Sequence, residues 1–190
     1  MPTNLAVFEQ FPVLKTERLT LREIQLTDAE AIFGMRASGR VNRFIARQNM
    51  QDPEDALKLV EKTRKAFNMQ MAIGWAGLYR AEQSIIGTCG FNAIDHDNMR
   101  AEIGGEMAVD YWGKHLALEA VAAIVQFGFE QLGLHSIEAK VDPGNRGAIA
   151  LMEALGFQKE AHYKDRICFG NGFRDMAVYT LIKGNERLKQ

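Results

Sequence analysis

The stretch Glu102 to Val121 restricts the fold more than any other: Glu-Ile-Gly-Gly-Glu-Met-Ala-Val-Asp-Tyr-Trp-Gly-Lys-His-Leu-Ala-Leu-Glu-Ala-Val. Its first part alternates, with Ile103, Gly105, Met107 and Val109 on one face and Glu102, Gly104, Glu106 and Ala108 on the other, the period of a strand. A polar turn follows around Gly113 and Lys114. From about Leu116 the apolar residues Leu116, Ala120, Ile124 and Phe127, with Ala117 and Val121, repeat at helical spacing. A strand, a small-residue turn and a helix make an anion site. The first amides of a helix have no partner within it, and the helix dipole favours negative charge at that end.

The flanking sequence supplies a sheet for this unit. Leu14 to Arg22 reads as one opening strand. Thr27 or Asp28 caps a helix to about Ser38, and Gly39 is placed to end it. Asp52-Pro53-Glu54 starts a second helix, with Ala56, Leu57, Val60 and Phe67 as its stripe. Arg40 to Met50 has no clear period and reads as a loop or short helix of the kind that covers a cleft. Met69–Tyr79, Ser84–Ile94 and Arg100–Val109 form a meander of hairpins. The helix from Leu116 ends at Leu132-Gly133, and Ser136–Val141 is the next strand. Strand, helix and strand in one sheet imply a right-handed crossover and a parallel pair. Asn145 caps a helix running to Leu155, and two strands joined by Gly170-Asn171-Gly172 close the chain.

With 190 residues the expectation is a single domain, 1–190, with 1–12 as a loosely held leader. Lys and Arg number 23 against 24 Asp and Glu, which argues against a general nucleic-acid binder. Cys89 and Cys168 lack metal-ligand spacing and read as reduced core residues, and the scattered histidines add no metal pattern. No apolar run approaches the ~18 residues of a membrane span, and the first residues have no signal-peptide pattern, so the expected location is cytoplasmic.

In order and spacing these segments resemble the GNAT superfamily of acetyl-CoA-dependent N-acetyltransferases, in particular its RimJ/RimL ribosomal-protein N-terminal acetyltransferase branch. The resemblance rests on Thr16-Glu17-Arg18-Leu19, Ile86-Gly87-Thr88-Cys89-Gly90-Phe91 and Glu102-Ile103-Gly104. It continues through Tyr111-Trp112-Gly113-Lys114 with Ala117, Glu119 and Ala120, then Asn145 with Leu155-Gly156-Phe157, and finally Gly172, Asp175 and Tyr179. It implies an α/β (α+β) fold: a mixed, mostly antiparallel seven-stranded sheet with helices on both faces and a splayed parallel strand pair at the cofactor site. It implies that the pantetheine arm of acetyl-CoA runs beside Met107, Ala108 and Val109. The diphosphate would rest on the loop and amides of Trp112, Gly113, Lys114, His115, Leu116 and Ala117, with Asn145 as cap and cofactor contact. The implied partners are acetyl-CoA, an amine acceptor that is a protein N-terminus or a small molecule, and a second copy of the chain in a homodimer, with no nucleic acid and no membrane.

Two features depart from the family pattern. The loop's Gln/Arg-x-x-Gly-x-Gly/Ala becomes Trp112, His115 and Ala117, and His115 is expected to take a helical φ and turn its ring aside. The usual general-acid positions hold Met152 and Ala148, which have no proton to give. The acid is then water, Tyr111, Tyr163 or Tyr179, or absent, since a thiol of pKa ~8.5 is a tolerable leaving group, and the candidate bases are Glu106 and Glu102. An α-amine of pKa ~7.8 needs less help than a lysine of ~10.4, because more of it is neutral at pH 7. The resemblance thus implies acetyl transfer to an N-terminal α-amine. Small amines such as polyamines, aminoglycosides or amino acids are the alternative, and a non-catalytic acyl-CoA-binding module is the reading from another class.

Overall fold

The computed structural model describes residues 3–187. In chain order the elements are β1 (Leu14–Lys15), β2 (Leu19–Glu23), α1 (Ala29–Ala37), a single turn α2 (Gly39–Asn42), α3 (Pro53–Asn68), β3 (Ile73–Tyr79), β4 (Ser84–Asp95), β5 (Arg100–Met107), α4 (Leu116–Phe127), β6 (Ser136–Val141), α5 (Arg146–Ala154), β7 (Gln158–Phe169) and β8 (Gly172–Ile182). The sheet order is β1-β2-β3-β4-β5-β6-β8-β7. Every neighbouring pair is antiparallel except β5 and β6, which α4 joins by the expected crossover.

The central strands are apolar on both faces, so each face needs a helical cover. On one face α4 buries Leu116, Ala120, Val121, Ile124, Val125 and Phe127 against Trp75, Phe91, Ile103 and Ile137, and α5 adds Met152. On the other, Ile32 and Met35 of α1 and Ala56 and Val60 of α3 close over Ile24 and Ala76. A short π-helical turn, Gly128–Leu132, extends α4 to Gly133, whose φ of 78° lets the chain reverse.

The described residues hold eight strands, one more than expected. Thr16 divides the opening strand: its N–H donates to Leu19 O at 3.0 Å, and its Oγ1 accepts from Leu19 N–H at 3.0 Å. Gly39 is not a terminator. Ser38 is extended, its Oγ accepts from Val41 N–H, and Gly39 opens α2. Asp28 precedes α1, but its buried carboxylate binds Arg22 at 2.7 and 2.8 Å instead of capping that helix. Cys168 is exposed, not in the core. Cys89 is partly covered, and burial pushes its thiol up to about 12.

The leader is likewise not loose over residues 3–12. Asn4 N–H donates to Leu132 O at 2.8 Å, and Pro12 O accepts from Trp75 Nε1 at 2.7 Å. Phe11 lies 4.8 Å from the Phe67 ring and 5.8 Å from that of Trp75, and Phe8 lies 5.3 Å from Phe67. These rings seal the lower end of the core, a role that periodicity does not signal. Phe11→Ala should therefore lower stability by about 2 kcal/mol, given its partial burial. An unchanged urea midpoint would show that the segment packs without contributing.

Candidate active site

The sheet opens at one place. β5 and β6 pair only at Arg100↔Ser136, Ala101↔Ile137 and Glu102↔Glu138. Beyond Glu102, β5 stays with β4 as far as Gly87↔Met107, while β6 stays with β8 as far as Val141↔Ala177. The register of β4 against β5 shifts between Phe91 and Ala93, opposite the last paired residues. A bulge bends and twists its strand, and this one, with Asn92 as the extra residue of β4, lies beside the point where the ladder from β5 to β6 stops. The edge of β5 from Ile103 onward lacks a strand partner on that side, and an extended chain with amides can add there. Ala108 N–H donates to Ile86 O at 2.8 Å, and the Trp112 indole N–H donates to Met107 O at 2.8 Å.

Two left-handed residues lead from β5 into α4. Gly113 has φ 74° and His115 has φ 59°. This corrects the helical φ expected of His115. It is the N-cap of α4, and its carbonyl accepts from Glu119 N–H at 3.1 Å. The cost of a left-handed histidine is about 1 kcal/mol. No side chain caps the first turn of α4, so its amides remain free to bind an anion.

The turn is tied down from the link between β1 and β2. Thr16 Oγ1 donates to Glu119, Arg18 N–H donates to Glu119 Oε1 at 2.7 Å, and Arg18 Nε donates to Oε2 at 2.7 Å. Arg18 Nη1 also donates to Lys114 O at 3.0 Å. Arg80 supports the same corner by donating to the carbonyls of Thr16, Glu17 and Leu19. Burial pushes the Glu119 carboxyl up, but the hydrogen bonds from Thr16 and Arg18 and the Arg18 charge outweigh it, leaving it below the usual range. Thr16-Glu17-Arg18-Leu19 was legible as a family mark, but its contact with Glu119, 101 residues beyond Arg18, was not.

The candidate bases are both engaged. Glu106 accepts from Arg36 Nε at 2.7 Å and from Arg47 Nη2, and its side chain is 3% exposed. Glu102, at the splay point, binds Lys140 at 2.6 Å. Asn145 caps α5 by accepting from Ala148 N–H at 3.1 Å. Met152 is buried and Ala148 half-buried on α5. Of the tyrosines, Tyr111 donates to Glu82, and that bond raises its pKa, making it a weaker acid. Tyr179 lies in the core and Tyr163 is exposed on β7.

The irregular segment after α1 turns out to cross the mouth of the splay. From Arg36 and Arg47 on Glu106 of β5, it reaches Arg43, whose carbonyl accepts from Arg174 Nη1 of β8 at 3.1 Å. Its Phe44 ring would lie 3.2 Å from a Cβ built on Gly144, in the turn after β6. Arg36 and Arg47 were missed in the sequence. The available signal was four arginines, at 36, 40, 43 and 47, with no acid from Arg36 to Gln51. Among the described residues no group of His, Cys, Asp and Glu is arranged to hold a metal ion, and no helix is long and apolar enough to cross a membrane.

Comparison with known proteins agrees with this geometry. The profile of the acetyltransferase (GNAT) domain matches residues 18–158. The N-acetyltransferase YoaA of Bacillus subtilis, itself uncharacterised, is 34% identical over 176 residues, 93% of this chain and 99% of its own. The ribosomal protein uS5 alanine N-acetyltransferase of Escherichia coli is 28% identical over 117 residues, 60% of each chain. The crystal structure of a GNAT-family acetyltransferase from Bacillus anthracis superposes with a TM-score of 0.80 at 26% identity, covering 90% of this chain and 98% of that one. The chain therefore belongs to the GNAT acetyltransferase family, whose acetyl donor is acetyl-CoA.

Proposed function

We propose that this N-acetyltransferase acts on a primary α-amine, such as a peptide N-terminus. The observation that carries this reading is the double ion pair at Glu106. With both oxygens of that carboxylate held by guanidiniums, and Glu102 held by Lys140, neither is free to take a proton. An acceptor that is already partly neutral suits such a site: at pH 7 about a tenth of an α-amine is neutral, against less than about a thousandth of a lysine. The relative named for alanine acetylation of a ribosomal protein supports the same acceptor.

In this reading the pantetheine arm runs along the open edge of β5 to its end at Met107 and past the turn residues Ala108 and Val109, and the diphosphate meets the turn from Trp112 through Ala117. The neutral amine attacks the acetyl carbonyl to form the C–N bond. The oxyanion is stabilised by a backbone N–H near Val109. The C–S bond then breaks, and the departing thiolate takes up the proton that the amine loses, directly or through water. With a thiol pKa near ~8.5 this departure needs no side-chain acid, consistent with Met152 and Ala148 on α5. Glu106 acts as a positioning residue for Arg36 and Arg47. Asn145 holds the start of α5, next to the cofactor.

Glu119 sets a condition on donor binding. A carboxylate in the first turn competes with a diphosphate for the same amides and dipole. Arg18 neutralises it, and also holds the Lys114 carbonyl. Arg18→Ala should raise the KM for acetyl-CoA by about tenfold, the scale of one lost charge-assisted pair. Arg18→Ala with Glu119→Gln should recover most of that loss, because the unpaired charge is gone. If the double variant is as weak as the single, the contact shapes the loop and its charge is immaterial.

The acceptor is tested by following thiol release with N-terminal peptides, lysine side-chain analogues and small amines. Turnover confined to lysine analogues would reject the α-amine reading. Glu106→Gln should keep the acidic limb of the kcat/KM profile, which the acceptor amine sets, while raising acceptor KM. Loss of that limb would make Glu106 the base.

A further inference from the structure

The segment across the mouth of the splay carries charge that its own contacts do not balance. Arg36 and Arg47 share the one buried carboxylate of Glu106. Arg47 also donates from Nε to Asn42 Oδ1 at 2.7 Å, and Asn42 in turn donates to Arg36 O. This fixes both guanidiniums beside the end of β5. Arg40 lies over the Trp112 ring at 6.0 Å, and Arg43 lies over Phe44 at 5.0 Å. Both arginines are exposed, and among the described residues neither has a carboxylate partner. Arg174 joins the group from β8, with Asp142 3.9 Å away. Five guanidiniums thus face two carboxylates, in a chain of net charge −1. Burial lowers the Arg47 pKa, Glu106 raises it and Arg36 lowers it again; the net direction is down.

Excess positive charge is stabilised by an incoming anion, and guanidinium forks fit carboxylates and phosphates. Resting on the α-amine reading above, we propose that this arginine strap selects acceptors bearing a carboxylate or similar anion close to the amine, and excludes polycations. The strap also serves the chemistry. A cation near an ammonium disfavours the charged form. A one-unit fall from ~7.8 would raise the neutral fraction at pH 7 about fourfold. The strap therefore activates the nucleophile without a base, which fits a cleft whose carboxylates are already paired. Polyamines and aminoglycosides, multiply positive, are repelled by the same field.

The shared chemistry, an α-amine beside a carboxylate, can come from an acidic peptide N-terminus or from a free amino acid, and one assay separates them. Thiol release from acetyl-CoA is followed with C-terminally amidated peptides beginning Ala-Asp-Asp or Ala-Lys-Lys, with alanine and alaninamide, and with spermidine. The Ala-Asp-Asp peptide should exceed Ala-Lys-Lys by about tenfold or more in kcat/KM at low salt, and the gap should narrow in 0.5 M salt. Alanine exceeding alaninamide by a similar factor, with both peptides poor, would identify the free amino acid as the source. The double variant Arg40→Gln, Arg43→Gln should shrink the preference by raising acceptor KM while acetyl-CoA KM stays put. Equal use of acidic and basic peptides, together with equal use of alanine and alaninamide, overturns the inference and leaves the α-amine reading standing. A rise in acetyl-CoA KM instead assigns these arginines to the donor's phosphates and also overturns it. Turnover of spermidine alone overturns both readings.

Discussion

The structure depends on a ladder that is left unfinished. β5 and β6 exchange hydrogen bonds for three residue pairs and then part. Backbone donors and acceptors left without partners are costly unless something occupies them. Here the bulge in β4 lies beside the break, and α4 makes the crossover between the two strands that part. An eight-stranded sheet could have closed this gap. Its remaining open leaves one edge of β5 without a strand partner, where an extended amide chain can add.

Charge then determines how the gap can be used. At the start of α4 the first amides have no side-chain cap, Glu119 lies in the first turn, and Arg18, 101 residues earlier in the chain, neutralises that acid. At the end of β5, Glu106 is enclosed by Arg36 and Arg47. Both carboxylates work through guanidiniums brought from elsewhere in the chain. The result is a cleft that is positive on balance within a chain of nearly neutral net charge, a distribution that composition conceals.

Much of this was legible. Alternation from Ile103 to Met107, helical spacing from Leu116, and hairpin turns such as Gly170-Asn171-Gly172 reflect local geometry, so they located the meander and the crossover, although the strand read on to Val109 ends at Met107 and a 3-10 turn takes over from Val109. Asn145 was found as a cap because capping acts over three residues. The misses were of another kind. Thr16 broke a strand through its own side chain, Ser38 displaced Gly39 as the turn residue, and Phe8 and Phe11 anchored a segment with no periodicity. His115 was expected to avoid strain, yet it takes the left-handed region. The chain needs a second left-handed residue after Gly113 to enter α4, and a histidine tolerates that at modest cost.

The sequence by itself determined most of the elements, their order, the parallel crossover and the turn that leads into α4, because periodicity, caps and turns act within a few residues of one another. Only the tertiary structure decided which charges meet. Arg18 with Glu119, and Arg36 and Arg47 with Glu106, join residues from 59 to 101 positions apart. Nothing in local spacing encodes such meetings. They follow from the sheet order and from where β5 leaves β6.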